Sequence, residues 1–218
     1  MDKREKLFFL FIIVAINDLA IFIAYSLIYP YYYYTSIFNN WLMICIIIVT
    51  LAVEWSIFLY LLIKLKNKNM PLKLLIKRES VPRKELLTYS AIFAGVVIST
   101  SILLTLFYKV FYQINNLNLS IILIGGFTCA PTIGIVEETI WRAYIFNELK
   151  FEYDKKWKAI IYSSLSYSLF HGFEPIKLVV TFIIGITGCI VIDKIKNAWP
   201  LIISHAIAEF LAWTFYIL

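Results

Sequence analysis

With 218 residues, 61% of them hydrophobic and only 16% charged, the chain is too apolar for a water-soluble domain, where about 25% of residues carry charge. The formal net charge of +6 does not point to nucleic acid, because the sequence offers no soluble basic face with aromatic or groove-reading elements. A single transmembrane domain over residues 1–218 is the reading that remains, since one core of this size hides only part of its side chains and a bilayer accommodates the rest.

A membrane span takes roughly 20 mostly apolar residues. The sequence predicts an all-α, polytopic transmembrane helix bundle of about seven spans, with six or eight also compatible. The first runs from Leu7 to Tyr29 behind the basic MDKREK. Its apolar part is too long for a signal peptide, Asp18 interrupts it, and no small-residue cleavage pattern follows. The uncharged connection PYYYYTSIFNN comes next, and its run Tyr31–Tyr34 suits a membrane-interface belt. The second span is Trp41 to Ile63.

The connection Lys64 to Glu85 then carries Lys64, Lys66, Lys68, Lys73, Lys77, Arg78, Arg83 and Lys84 against Glu79 and Glu85. Within it, MPLKLLIKRESVP reads either as a short amphipathic helix on anionic lipid or as a solvated loop, the loop being preferred. Thr88 to Tyr112 and Leu119 to Leu149 are the third and fourth spans. Trp157 to His171, which is short, Ile176 to Ile195, and Trp199 to Leu218 complete the set. KFEYDKKWK and DKIKN are lysine-bearing, whereas QINNLN and HGFEPIK hold one lysine between them. That alternation predicts a cytoplasmic N-terminus and, with seven spans, an external C-terminus. Cys45, Cys129 and Cys189 fall in apolar spans at no metal-like spacing and read as small packing residues.

The chemistry concentrates late in the chain. Charged residues at membrane depth are costly and usually functional, yet the fourth span contains GIVEETIWRAYIF, residues 134–146. On an α-helix Glu138 and Arg142 are four apart and pair on one face. Glu137 lies about 100° round from Glu138, which leaves it over for general acid or base work. The only histidines, His171 and His205, both fall in predicted spans. His171 ends SLSYSLFH just before Gly172 and Pro175; His205 in PLIISHAIAEF has Glu209 four residues later on the same face. One buried histidine is more often structural than catalytic, but two beside a Glu-Glu-x-x-x-Arg helix reverse that balance.

A hairpin turning near Asp154 places Glu137 seventeen residues before the turn and His171 seventeen after it, so the two meet at similar depth. His205, eight residues beyond Asn197, falls nearer the cytoplasm unless the Asp154 loop protrudes. Asp18 reads as a partner for a lysine or as lining an aqueous cavity. Glu54 reads either as a channel residue or, preferably, as a hydrogen-bond partner for Trp or Tyr. Neither they nor Glu174 are expected to be catalytic.

At these residues the chain resembles the CPBP intramembrane proteases, the Abi or CAAX-protease family, which includes the Ras-converting CAAX endopeptidases and bacterial proteins linked to bacteriocin processing and self-immunity. The family pattern is Glu-Glu-x-x-x-Arg, Phe-x-x-x-His and His-x-x-x-Asn/Asp on separate helices. Glu137, Glu138 and Arg142 match the first element. Tyr167 and His171 match the second with tyrosine for phenylalanine. His205 matches the third, with Glu209 where Asn or Asp is usual. The resemblance covers roughly residues 119–218, the expected catalytic core.

It implies an intramembrane endopeptidase in which Glu137 and His171 activate water while His205, with the residue at 209, stabilises the oxyanion. Glu209 serves that role only if protonated, or else orients His205. Zinc held by His171, His205 and Glu137 or Glu209 is the alternative; a metal-free site is preferred, because no HExxH-type element pairs the histidines on one helix. The implied substrate is a peptide or protein at the membrane: a prenylated CAAX tail, a leader peptide or a bacteriocin. The implied location is a bacterial cell membrane, with membrane lipid as surroundings. Two other classes stay open: a non-catalytic immunity or binding protein, and a small proton-coupled transporter, against which stands the lack of paired broken helices in two halves.

Overall fold

The apolar runs fold into helices. The computed structural model describes residues 36–67, 69–76, 81–112 and 119–215, with Ile12, Ala15 and Leu19 as isolated helical positions. The predicted first span with Asp18, the MDKREK start, the Tyr31–Tyr34 run, the QINNLN connection and the last three residues lie outside the described residues. The elements are α1 (Ser36–Asn67), α2 (Leu72–Ile76), α3 (Arg83–Tyr112), α4 (Leu119–Thr132), a π-helical segment (Ile133–Phe146), α5 (Asn147–Glu152), α6 (Lys156–Phe170), α7 (Pro175–Ile195) and α8 (Trp199–Phe215). No strand occurs among the described residues.

Among the described residues, three helical stretches are long and apolar enough to cross a membrane: Ile47–Asn67, Arg83–Phe107 and Pro175–Ile195. The expectation of about seven spans is therefore met for three. The expected fourth span is divided by the π segment and carries Glu137, Glu138 and Arg142 in its middle. The expected fifth, α6, has 15 residues, about 22 Å of helix against a hydrocarbon core of about 30 Å. The described part of the last is the 17 residues of α8. Outward-facing Leu59, Ile63, Leu103, Leu106, Phe127, Val179 and Ile203 are exposed, which a lipid solvent permits and water disfavours.

The π segment sits at the centre. All its residues except Ile133 and Ile135 are buried, and α1, α2, α4, α6, α7 and α8 all pack on it. Close approach is set by small residues, as expected where hydrophobic force between helices is weak. A Cβ on Gly134 would lie 2.5 Å from the Ile202 carbonyl oxygen of α8, and one on Gly185 of α7 2.9 Å from Ser164 Cα of α6. Gly125 likewise makes room for the Trp213 ring. The α6–α7 hairpin is tied by Ser168 Oγ donating to the Leu178 carbonyl (2.6 Å) and Thr181 Oγ1 donating to Ser168 Oγ (3.2 Å).

The lysine-bearing connections meet at one end of the bundle. Asp193, near the end of α7, pairs with Lys150 of α5, with Lys156 of α6 at 2.8 Å and with Lys196 at 3.1 Å. The Ala198 N–H donates to the Ile76 carbonyl at 2.7 Å, which brings in α2. This corrects the preference for a solvated loop across MPLKLLIKRESVP, in which Leu72–Ile76 is helical. Leu75 and Ile76 are buried in the core, because a five-residue helix with apolar Leu75 and Ile76 finds apolar partners on the π segment instead of lipid. Cys129 and Cys189 are buried packing residues as expected, whereas Cys45 is exposed on the outer side of α1; all three are free.

Candidate active site

Glu137 points from the π segment to the C-terminal end of α6. Its Oε1 lies 3.4 Å from His171 Nε2, and its Oε2 accepts a 2.8 Å hydrogen bond from the Tyr167 hydroxyl. His171 caps α6. Its N–H donates to the Ser168 carbonyl, and Gly172 follows at φ +100°, a left-handed conformation that glycine adopts without strain. The chain then turns into α7 through Glu174, whose side chain accepts from the Ile176 and Lys177 N–H groups as an N-cap ahead of Pro175. Glu174 thus has a structural task, in line with its exclusion from the catalytic set.

His171 Nδ1 lies 2.8 Å from the Tyr167 carbonyl oxygen. A carbonyl only accepts, so Nδ1 carries the proton and the neutral ring presents a bare Nε2 to Glu137. An unprotonated nitrogen and a carboxylate oxygen are both acceptors. Their contact is favourable only with a proton, or a donor such as water, shared between them.

Behind this pair, Glu138 and Arg142 are completely buried. The expected i,i+4 pair is present, Arg142 Nη1 to Glu138 Oε1 at 3.4 Å, but Glu138 is not spent on arginine alone. The same Oε1 accepts from His205 Nδ1 at 2.7 Å. This joins α8 to the π segment and fixes the His205 tautomer with its proton on Nδ1. The concern that His205 lies at another depth is thereby removed: Gly134 lets α8 close on the π segment. Arg142 lies with Cζ 3.9 Å from the centre of the Tyr167 ring, a cation–π contact. A Cβ on Gly188 would sit 2.7 Å from Arg142 Nε, so that glycine leaves the guanidinium its place.

Glu137, Tyr167, His171, His205, Glu209 and Glu54 all line one cavity of about 320 Å³. Four of the six predicted site residues, Glu137, His171, His205 and Glu209, line it, and the other two each touch a lining residue, Glu138 through His205 and Arg142 through the Tyr167 ring. Glu137 stays outside the Glu138–Arg142 pair, as expected, and is reached by His171 and Tyr167. One expectation changes. Glu54 is not a hydrogen-bond partner for Trp or Tyr: its Oε2 has no partner among the described residues. Sequence reasoning underrated Tyr167, treated as a substitute for phenylalanine although its hydroxyl holds Glu137, and Glu54, for which an intramembrane carboxylate was the available signal. As to zinc, among the described residues no three of His, Cys, Asp and Glu stand together so as to hold a metal ion.

A helical membrane-embedded chain with a buried carboxylate–imidazole cavity is the class this fold and site define. The family model described as type II CAAX prenyl endopeptidase Rce1-like matches residues 118–211. Over that segment, a little under half of the chain, the protein is similar to the CAAX-protease family, and the described residues include three helices long and apolar enough to cross a membrane. No curated protein and no solved structure matches the chain.

The Tyr167 hydroxyl yields a direct expectation. Tyr167→Phe keeps the ring on which Arg142 lies and removes only the donor to Glu137. Hydrogen bonds to charged groups contribute about 1.5–3 kcal/mol, so peptide-cleaving kcat falls by about tenfold or more with KM little changed, and the melting temperature falls by the loss of the same buried bond. A kcat equal to that of the native protein shows that the hydroxyl does not position Glu137.

Proposed function

We propose that the chain is an intramembrane endopeptidase of the metal-free, glutamic type. The observation that carries this reading is the contact of Glu137 with His171 Nε2 in a cavity that His205 also lines. A water at the apex of that contact donates one hydrogen to Glu137 Oε1 and one to His171 Nε2. Glu137 removes a proton as the water oxygen bonds to the scissile carbonyl carbon. The proton passes to the leaving nitrogen as the C–N bond breaks.

The developing oxyanion needs donors. With Nδ1 committed to Glu138, His205 has Nε2 to offer, and in its imidazolium form Glu138 balances the charge. Glu209 stands beside this position. In protonated form it adds a second donor; in ionised form it orients His205 and faces away from the oxyanion. Arg142 supports the arrangement from behind through Glu138 and the Tyr167 ring.

The substrate is a peptide or protein segment at the membrane, of which a prenylated CAAX tail, a leader peptide and a bacteriocin are the candidates. The location is a bacterial cell membrane with the N-terminus cytoplasmic. The meeting of the lysine-bearing connections at one end of the bundle supports that alternation.

Position 209 tests the chemistry. Asparagine donates through its amide without needing a proton, so Glu209→Asn retains substantial peptide cleavage by the purified protein, and chelators leave the parent active. A zinc-loaded, chelator-sensitive parent beside an inactive, metal-depleted Glu209→Asn protein overturns the metal-free reading.

A further inference from the structure

Two carboxylates in the cavity wall stand outside both carboxylate–imidazole pairs. Glu54, from α1, is 3% exposed, lines the cavity, and has an Oε2 with no hydrogen-bond partner among the described residues. Glu209, on α8 one turn beyond His205, lines the same cavity. The wall as a whole sets three carboxylates, Glu54, Glu137 and Glu209, against a single ammonium, that of Lys177. Of the three, Glu137 is held by His171 and Tyr167; Glu54 and Glu209 have no comparable side-chain partner among the described residues.

An isolated carboxylate away from water loses much of its solvation, and a buried charge is tolerated when a partner restores it. An apolar substrate side chain leaves that loss uncompensated. A lysine or arginine side chain removes it, because its N–H groups form charge-assisted bonds to carboxylate oxygens and its aliphatic stem packs on apolar wall. Ile47, Val97, Leu104 and Ile184 supply such wall in the same cavity. A cavity of about 320 Å³ is at the small end of ligand pockets, which run to about 1,000 Å³. The side chain it takes therefore belongs to a residue close to the bond that Glu137 faces.

We infer that the part of the cavity walled by Glu54 and Glu209 is a subsite for a basic side chain of the substrate, with Glu54 its charge partner. The enzyme is thus selective for membrane peptides carrying lysine or arginine beside the scissile bond. This rests on the proteolytic reading of Glu137 and His171. Glu54 comes from α1, outside the segment that the family model matches, whereas Glu209 lies within it.

The test uses the full-length protein in lipid nanodiscs and fluorescein-labelled apolar peptides that carry Lys, Gln or norleucine at one position, moved stepwise along the peptide. Anisotropy gives Kd independently of turnover. At one register the lysine peptide binds about tenfold more tightly than both the norleucine and the glutamine peptides, and in Glu54→Gln that ratio falls to about twofold or less. Glu209→Gln reduces it in part, which supplies a second variant should Glu54→Gln fail to fold. Lysine and norleucine binding equally at every register overturns the inference. So does a glutamine peptide binding as tightly as the lysine one, which would show neutral donation in place of charge pairing. Cleavage of the same peptides, and its loss in Glu137→Gln, separately decides the proteolytic reading.

Discussion

Glu137→Gln lowers peptide turnover by about 10²- to 10⁴-fold, the range that a positioned general base supplies. Glutamine keeps the shape of the side chain and its oxygen still accepts from the Tyr167 hydroxyl, which lies 2.8 Å from Oε2 in the native protein. What is lost is the ability to take a proton from water at the oxygen facing His171 Nε2. Nothing behind the site depends on that oxygen, because Glu138, Arg142 and His205 bind one another. The variant therefore folds and inserts normally, with a melting temperature in detergent close to that of the native protein. Normal turnover by Glu137→Gln would remove it from the role of base. A large fall in melting temperature would move its task from chemistry to architecture.

Arg142→Ala produces the opposite pattern. The guanidinium is wholly buried, with Glu138 at 3.4 Å on one side and the Tyr167 ring at 3.9 Å on the other. Its removal leaves Glu138 with His205 as its one near partner among the described residues and opens a void beside Gly188. Breaking a buried pair by deleting one member costs about 3–5 kcal/mol, against almost nothing for Glu137→Gln, so the melting temperature drops well below that of either other form. Arg142→Met, which refills much of the volume, separates the causes. It stays destabilised if the stranded Glu138 charge dominates, and Glu138→Gln in the same chain then restores part of the loss. Equal melting temperatures for Arg142→Ala and the native protein contradict a buried pair at this position.

The residues that carry the chemistry were readable because charge in an apolar run has few explanations. Glu137, Glu138, Arg142, His171 and His205 stand out for that reason, and counting residues on either side of Asp154 brought Glu137 and His171 to the same depth without a structure. The partners were harder to read. A π-helix, whose hydrogen bonds close over five residues instead of four, leaves no periodic signature that separates it from a short α-helix. Treating GIVEETIWRAYIF as α-helical kept the Glu138–Arg142 pair but not the third member, His205, which depends on how closely α8 approaches at Gly134. Tyr167 differs from phenylalanine by one oxygen, and only the register of α6 against the π segment shows that oxygen meeting Glu137. The direction of Glu54 follows from the packing of α1 against α4 and the π segment, a tertiary relation that no local pattern encodes. The span count, met for three helices among the described residues, was harder to read for a related reason: apolar residues cover both helices long enough to cross a bilayer and shorter ones such as α6.

The central claim is that this cavity hydrolyses a peptide bond, and mass spectrometry of single-turnover reactions tests it most directly. Purified protein in nanodiscs is mixed in excess with membrane peptides in heavy-oxygen water, beside Glu137→Gln. The account predicts paired fragments from the native protein whose masses sum to the substrate plus one water, with one solvent oxygen in the new carboxyl group, and no such fragments from the variant. Intact peptide in both reactions, or the same fragments in both, would contradict it.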